Sequence, residues 1–282
     1  MPGTLFVVAT PIGNLEDITG RALRVLREAS IIAAEDTRRT AHLLARYAIT
    51  TPTTSLHEHN EAQKAASLVA RLERGESIAL VSDAGTPTIS DPGHRLIKGA
   101  IDAGIRVEPI PGPNAVIAAL AVSGLPTDSF SFLGFPPTRS KARTEWFDRA
   151  QSVGGTIVFF EAPHRIRETL DQLRNEVGDC QVAVCRELTK VHEELVRGSI
   201  TRVLSEIGSS LGEFTVVAYL GHTKDIAPSA APSAAELLAE LSYLTKQSKL
   251  SRRSAITALA KRHGMGANAI YRLVETAKKS VE

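Results

Sequence analysis

Cysteine, tryptophan and long uncharged stretches are all scarce in this chain of 282 residues. The two cysteines, Cys180 and Cys185, are too few for a disulfide framework and lack the paired spacing of a zinc site, so we expect both to be reduced core residues. The longest stretch without a charged side chain, residues 109–127, contains four prolines, which makes it a poor membrane-spanning helix. The amino terminus lacks the basic segment of a secretion signal, so we expect a cytoplasmic protein.

Two nucleotide-binding signatures are also missing from the sequence. Neither the GxxxxGK[ST] pattern of phosphate-binding loops nor the GxGxxG pattern of dinucleotide-binding folds occurs. Their absence weakens interpretation as a common ATPase or dehydrogenase. The hydrophobic fraction of 43% and charged fraction of 23% are those of an ordinary globular protein.

The first part of the chain alternates between strand and helix patterns, which indicates an α/β fold. Apolar strand patterns cover 4–10, 31–35, 77–82 and 105–110, and helical patterns lie near 37–48, 60–74, 92–103 and 114–123. Thr19 is placed to cap an additional helix. This alternation predicts a mainly parallel sheet covered by helices on both faces, in a domain of residues 1–123.

A second α/β domain is predicted for residues 124–224. Its strands are expected at 156–161, 181–187, 193–199 and 213–220, and its helices near 139–152, 164–177 and 200–209. The last strands follow one another closely, as in a hairpin, so a mixed sheet is expected here.

The carboxyl-terminal region is basic. Residues 245–282 carry a net charge of +7, which leaves −5 for residues 1–244. A Pro/Ala/Ser-rich stretch at 225–234 predicts a linker, and apolar helical spacing beyond it predicts a small helical domain at 235–282. The turn at 263–266 resembles the corner of a helix-turn-helix. The sequence is therefore consistent with two roles for this domain, nucleic-acid binding or a helical cap that only packs against itself.

Four loops that follow predicted strands contain unusual numbers of turn-forming and polar residues. They cover residues 10–19, 82–93, 109–115 and 159–165. Ligands of open α/β sheets gather at the carboxyl ends of strands, which makes these loops candidate binding segments. The first could equally be an ordinary connection, and the alanines that follow the third could serve cofactor binding or helix packing.

Two charged clusters offer further chemistry. Residues 35–39 (EDTRR) are suited to binding phosphate, and residues 57–60 (HEHN) are suited to proton transfer. The second cluster lacks the HExxH spacing that places two imidazoles on one helical face, and we therefore expect no metal site.

Taken in order, these segments resemble the tetrapyrrole-methylase-like class of S-adenosylmethionine-dependent methyltransferases. The resemblance rests on ATPIGNLEDIT, AAEDTRRT, HEHNE, SDAGTPTISDPG, PIPGPNA, FFEAPHR and RELTK, and it spans residues 4–220. Within the class, the motifs are similar to those of a branch that modifies small-subunit ribosomal RNA. The match is weaker at the end of the last strand, residues 219–222.

The resemblance implies two α/β domains of the tetrapyrrole methylase fold, usually in a homodimer, with S-adenosylmethionine in the interdomain cleft. It implies 2′-O-methylation of a cytidine in the decoding region of 16S rRNA, presented either as free rRNA or in the assembled 30S subunit. The cofactor-binding residues carried over from the family are Pro11, Asp83, Thr86, Asn114, Ala115, Phe160 and Glu161.

A ribose 2′-hydroxyl is a weak acid, so its attack on a methyl group is helped by a base. Asp83, Glu58 and His57 are the candidates for this catalytic role. The candidate RNA-binding residues are Arg38, Arg39, His164 and Arg165 in the body and Arg252, Arg253, Arg262 and Arg272 in the tail. The four body residues could instead form ion pairs.

Two other functions remain open on the sequence alone. A methyltransferase for a tetrapyrrole precursor would account for the loops but not for the basic tail. A regulator that binds duplex DNA through the tail would use the α/β body as a ligand sensor and would transfer no methyl group.

Overall fold

The computed structural model describes residues 2–208 and 211–221 and, beyond these, residues 237, 240–242, 244–245, 251–252, 255–256, 259–260, 270–271 and 273–274. The chain divides into two compact units, residues 1–221 and 222–282. The first unit is built on two five-stranded sheets. In the described part of the chain, no helix is both long and apolar enough to span a membrane.

The first sheet is entirely parallel. Its strands are β1 (Thr4–Val8), β2 (Ile31–Ala34), β3 (Thr53–Ser55), β4 (Ile78–Val81) and β5 (Arg106–Ile110), in the order β3-β2-β4-β1-β5. The connecting helices are α1 (Gly20–Glu28), α2 (Thr37–Arg46), α3 (Glu61–Glu73) and α4 (His94–Asp102), and a 3-10 turn covers Leu15–Asp17. The Thr19 hydroxyl caps α1 by accepting a hydrogen bond from the Ala22 amide at 3.1 Å, as predicted.

Helices cover both faces of this sheet, which explains why the central strands β1, β2 and β4 are apolar at nearly every position. The edge strands β3 and β5 also contain polar residues. On one face Val8, Ile32 and Val81 pack with α1 and α2. On the other face Leu5 and Leu80 pack with α3 and α4. The predicted parallel sheet with helices on both faces is confirmed.

The second sheet is mixed, as its closely spaced strands predicted. Helix α5 (Ala115–Ser123) precedes strands β6 (Phe130–Phe132), β7 (Thr156–Glu161), β8 (Gln181–Arg186), β9 (Glu194–Ser199) and β10 (Phe214–Tyr219), in the order β6-β7-β10-β8-β9. Only β6 and β7 pair in parallel, and the other described neighbours are antiparallel. Helices α6 (Ser140–Val153), α7 (Ile166–Val177) and α8 (Ile200–Glu206) cover one face.

Helix α5 follows the last strand of the first sheet but covers the second sheet. Val116, Ala119 and Leu120 pack against Val158 and Val217 on the face opposite α6 and α7. Helix α5 joins the two halves of the unit, and its opposite side leaves Ile117 and Val122 exposed. Packing therefore accounts for the alanine at position 119.

The sequence patterns missed two short edge strands and placed several ends incorrectly. Strands β3 and β6 have three residues each, too few to show a period. Strand β1 ends at Val8 rather than residue 10, and Thr10 instead forms an isolated bridge with Gly85. The predicted helix 200–209 ends at Glu206.

In the second unit, the described residues include a small apolar core formed by Leu237, Leu241, Ala255, Ile256, Leu259, Ala260, Ile270 and Val274. The Arg252 guanidinium lies 5.9 Å from the centre of the Tyr271 ring. The predicted linker at 225–234, the turn at 263–266, and Arg253, Arg262 and Arg272 lie outside the described residues. The helix-turn-helix interpretation therefore stays a prediction.

Candidate functional site

A cavity of about 420 Å³ lies between the two halves of the first unit. The first half contributes the loops that follow β1, β2 and β4 and the start of α5. The second half contributes Phe135, the end of β7, and residues 213–215 at the start of β10. The volume is in the range of small-molecule sites, and the first-half loops are at the carboxyl ends of parallel strands, where ligands of such sheets bind.

Six of the seven predicted cofactor-binding residues line this cavity, namely Asp83, Thr86, Asn114, Ala115, Phe160 and Glu161. The seventh, Pro11, lines a smaller pocket of about 100 Å³. Arg39 and Asp83 line both pockets, so the two are adjacent. The structure thus brings the seven residues, which are up to 150 positions apart in the sequence, to two adjacent pockets. Their role in cofactor binding remains a prediction.

The loops after β1 and β4 are tied together beside the cavity. The backbone amides of Thr10 and Gly85 each donate to the other's carbonyl oxygen, at 2.8 and 3.0 Å. The Thr10 hydroxyl also donates to the Ser82 carbonyl oxygen at 3.1 Å. Gly85 has a φ of +78°, a conformation that costs least without a side chain. These bonds fix the backbone at the cavity floor.

Asn114 and Thr86 connect the long loop to the start of α5. The Asn114 side-chain oxygen accepts hydrogen bonds from the Val116 and Ile117 amides at 3.0 and 3.2 Å, which caps the helix. Its amide nitrogen donates to the Thr86 hydroxyl at 3.3 Å. Both side chains thus shape the cavity wall whatever they also bind.

Three carboxylates and one guanidinium line the first-half side of the cavity, namely Glu35, Asp83, Asp91 and Arg39. Arg39 Nη1 lies 3.4 Å from Asp83 Oδ2, and the Asp83 amide donates to Glu35 Oε2 at 3.3 Å. Burial raises the pKa of Asp91 to about 6, and the negative charges of Glu35 and Asp83 add to this effect. Burial also raises the pKa of Glu35. The cluster thus holds a group that takes up protons close to neutral pH.

Glu35 and Asp91 are cavity residues that the sequence analysis did not single out. Glu35 was part of a segment interpreted as phosphate-binding, and Asp91 was one of many residues in the long loop. The available signal was their position, because each follows a buried strand at the sheet edge where ligands bind.

The second-half wall rests on a buried polar network around Glu161. Its Oε1 lies 2.6 Å from Arg165 Nη2, and its Oε2 accepts a hydrogen bond from the Thr169 hydroxyl at 2.5 Å. Only 15% of the Arg165 side chain is exposed. Arg165 therefore forms a buried ion pair, which was the alternative to RNA binding. Arg38 and Arg39 are exposed but also form ion pairs, Arg38 with Asp36 at 2.8 Å and Arg39 with Asp83, and His164 is exposed.

Of the three candidate bases, only Asp83 lines the cavity. Glu58 is exposed, and His57 Nε2 lies 3.1 Å from the Asn60 side-chain nitrogen. The neighbouring Glu61 is buried and accepts hydrogen bonds from the Gly93 and Arg95 amides at 3.0 and 2.7 Å. This carboxylate caps α4 and anchors the end of the 82–93 loop, a role that the sequence analysis missed.

Strained backbone lies on both sides of the cavity. Thr88 and Ser90 in the first half, and Glu187 and Thr189 in the second, have φ between +51° and +73°. Such conformations cost about 1–3 kcal/mol each and persist where surrounding structure enforces them, often at functional sites. The Thr189 hydroxyl accepts a hydrogen bond from the Asn14 amide at 3.1 Å, so the loops of the two halves are joined here.

Neither cysteine nor metal chemistry has a visible basis in the described residues. Cys180 and Cys185 are free, and burial raises the pKa of the Cys185 thiol to about 12. Cys185 is a core residue, as predicted, whereas Cys180 is only partly buried. Among the residues that the structure describes, no three His, Cys, Asp or Glu side chains are arranged to hold a metal ion.

Comparison with known proteins supports one assignment. The family model for tetrapyrrole (corrin/porphyrin) methylases matches residues 4–204. The chain is 45% identical over 273 residues to ribosomal RNA small subunit methyltransferase I of Vibrio cholerae, covering 95% of this chain and 93% of that protein. It is 48% identical over 217 residues to the protein of the same name from Halalkalibacterium halodurans, covering 76% and 75%.

A solved structure of the methyltransferase CobJ matches with a TM-score of 0.58 at 19% identity, covering 77% of this chain and 94% of that one. At this identity the match supports the fold alone. It agrees with the two-sheet α/β architecture of the first unit. The chain belongs to the tetrapyrrole methylase family, within the group named ribosomal RNA small subunit methyltransferase I.

Proposed function

We propose that this protein transfers a methyl group from S-adenosylmethionine to the ribose 2′-hydroxyl of a cytidine in the decoding region of 16S rRNA. The observation that carries the proposal is the cavity, which combines predicted cofactor-binding residues with a carboxylate cluster. The names of relatives at 45–48% identity support rRNA as the substrate.

The cavity fits an adenosyl cofactor in shape and chemistry. Apolar side chains, Ile12 and Phe160, offer contact to a flat base, and Asp83 offers a carboxylate to hydroxyl or amino groups. Gly85 lines the cavity with a φ of +78°, a conformation that favours glycine, and its lack of a side chain leaves the backbone open to a ligand. Asp83, Thr86, Asn114, Ala115, Phe160 and Glu161 are the residues proposed to hold the cofactor, with Pro11 at the adjoining pocket.

When bound, S-adenosylmethionine supplies a methyl group on a positively charged sulfur. The protein's own task is to orient a ribose hydroxyl toward that group and to accept its proton. Correct placement can supply much of the rate enhancement, and a positioned base adds to it. We propose that the carboxylate cluster at Asp83 accepts the proton, while Arg39 holds Asp83 in place through their ion pair.

For RNA binding, we propose the exposed Arg38, Arg39 and His164 near the cavity together with the basic tail. Basic side chains gain affinity from phosphate contacts and counterion release. The acceptor is free 16S rRNA or the assembled 30S subunit, which would place the protein in the cytoplasm. A homodimer is proposed from the family resemblance.

Labelled S-adenosylmethionine, incubated with unmodified 16S rRNA or with 30S subunits from cells lacking the activity, tests the proposal. We expect label in one cytidine, located by nuclease mapping of 2′-O-methyl nucleotides. Saturable cofactor binding without label in either RNA would refute rRNA as the acceptor and would favour a small-molecule substrate.

Three substitutions test the proton acceptor. We expect Asp83→Asn to reduce kcat by at least 100-fold, since a positioned base contributes about 10²–10⁴-fold. We expect His57→Ala and Glu58→Ala to remain within fivefold of the wild type, because neither side chain lines the cavity. Cofactor affinity, measured by calorimetry, separates a catalytic loss from a loss of cofactor. Full turnover in Asp83→Asn would remove this residue from the mechanism.

A further inference from the structure

An aromatic side chain, Phe135, stands exposed at the mouth of the cavity. Half of it, 51%, is accessible to solvent although it lines the cavity wall. Ile89, from the long loop of the first half, is 39% exposed and lines the same cavity. These two exposed apolar side chains of one cavity are here termed the mouth pair.

The mouth pair spans the two halves of the unit. A Cβ built on Gly134, next to Phe135, would lie 3.9 Å from the hydroxyl of Ser90, next to Ile89. The two loops are therefore neighbours at the rim. An apolar surface is presented from both sides of the opening, beside the carboxylate cluster.

The backbone under Phe135 is held in place by three hydrogen bonds. The Gly134 carbonyl oxygen accepts from the Phe160 amide at 3.0 Å. The carbonyl oxygens of Pro136 and Pro137 accept from the guanidinium groups of Arg165 at 3.1 Å and Arg143 at 3.4 Å. Both arginines belong to the network of Glu161 and Thr169. The exposed ring is thus mounted on a fixed loop.

The ring itself packs on a second aromatic side chain. The centres of the Phe135 and Phe160 rings are 5.4 Å apart, with the ring planes tilted by 56°. Phe160 in turn contacts Phe132 edge-on at 5.0 Å. Phe135 therefore has one side supported by protein and its outer part free to receive a flat ligand.

Resting on the proposed function, we infer that the mouth pair receives the base of the target nucleotide, with Phe135 stacking on it. The 2′-hydroxyl of a helical nucleotide is reached from the shallow groove, but a ribose that enters a cavity lined by both halves of the unit separates its base from its stacked neighbours. Bases taken out of a stack are commonly held on aromatic side chains. Phe135 is a fixed aromatic ring at the required place.

Stacking of this kind tolerates any base, because every base has a flat π surface. The mouth pair therefore positions the target nucleotide rather than reading its identity. Removal of the mouth pair is expected to weaken binding of the RNA substrate and to leave the affinity for the cofactor unchanged.

The test compares Phe135→Ala with Phe135→Tyr in the full-length protein. Removing one stacking platform is expected to raise KM for the 30S subunit or rRNA about 10- to 100-fold. Phe135→Tyr keeps a ring and is expected to stay within threefold. Phe130→Ala is the matched control, since Phe130 is 41% exposed in the same half but does not line the cavity, and it should leave KM unchanged.

A binding measurement without catalysis provides a second readout. A ribo-oligonucleotide with the sequence around the target cytidine is compared with the same strand carrying an abasic ribose at that position. The wild type should lose about 10-fold or more in affinity for the abasic strand, whereas Phe135→Ala should bind both strands equally. This double cycle isolates contact with the base from general changes in the protein.

The results separate the two proposals. If the wild type labels RNA but Phe135→Ala has the wild-type KM and still discriminates against the abasic strand, the inference fails and the proposed function stands. If Phe135→Ala instead loses affinity for S-adenosylmethionine, the ring holds the cofactor and the inference is overturned. If the wild type labels no RNA, both proposals fall.

Discussion

Replacement of Glu161 by Ala is expected to destabilise the protein strongly. Its carboxylate is buried and pairs with Arg165 at 2.6 Å and with the Thr169 hydroxyl at 2.5 Å. Loss of one partner from a buried ion pair costs about 3–5 kcal/mol, because the remaining charge is left without compensation. For a chain of this size, each kcal/mol lowers Tm by roughly 2–4 °C. We therefore expect Tm to fall by roughly 6–20 °C.

Urea and thermal unfolding, followed by circular dichroism, measure this effect. Lys98→Ala is the matched control, since Lys98 pairs with Asp102 at 2.7 Å while more than 60% of each side chain is exposed. An exposed pair of this kind contributes about 0.3–0.5 kcal/mol. The double variant Glu161→Met/Arg165→Met should recover part of the loss, because no buried charge is left unpaired. A loss below 1 kcal/mol in Glu161→Ala would refute the view that this pair supports the cavity wall.

Three further predictions concern the cavity and the tail. Folding raises the pKa of Asp91 to about 6, so ionisation of this side chain opposes folding. Asp91→Asn should therefore be more stable than the wild type at pH 7.5. Denaturant titrations should show that this difference in unfolding free energy shrinks as the pH falls through 6 and vanishes below about pH 4. Glu61→Ala should destabilise the protein by about 1–2 kcal/mol through loss of the α4 cap and should weaken cofactor binding, measured by calorimetry; unchanged values would contradict the anchoring role. Deletion of residues 230–282 should weaken RNA binding and flatten its salt dependence while sparing cofactor affinity; equal RNA affinity would make the tail structural.

Local patterns were sufficient for most secondary structure. Strand β7 was predicted with its observed bounds, Thr156–Glu161, because a buried run of β-branched and aromatic residues leaves little alternative. The ends of helices were less accurate: α8 stops at Glu206, three residues early. Short edge strands such as β3 were missed because three residues carry no period and are defined by their neighbour in the sheet.

The candidate site was predictable in part. Loops rich in Gly, Pro and Asp after buried strands indicated the binding segments, and the family resemblance selected Asp83, Thr86 and Asn114 within them. The structure brings these three residues to one cavity. The sequence could not show that the Arg165 side chain is buried in an ion pair with Glu161. From the sequence, Glu161 could equally have contacted a ligand without pairing with Arg165. Nor could it separate the buried Glu61 from the exposed Glu58 three residues away.

The sequence by itself determined the α/β class, the order of the candidate binding loops, the basic tail and the family, because each is a property of residues close together along the chain. Only the tertiary structure decided that α5 packs on the second sheet, that Glu35 and Asp91 line the same cavity as Asp83, and that Phe135 and Ile89 both line that cavity. Those arrangements depend on strand order and on the packing of one half against the other. They bring together segments that are far apart in the sequence, and such contacts cannot be predicted from the pattern of neighbouring residues.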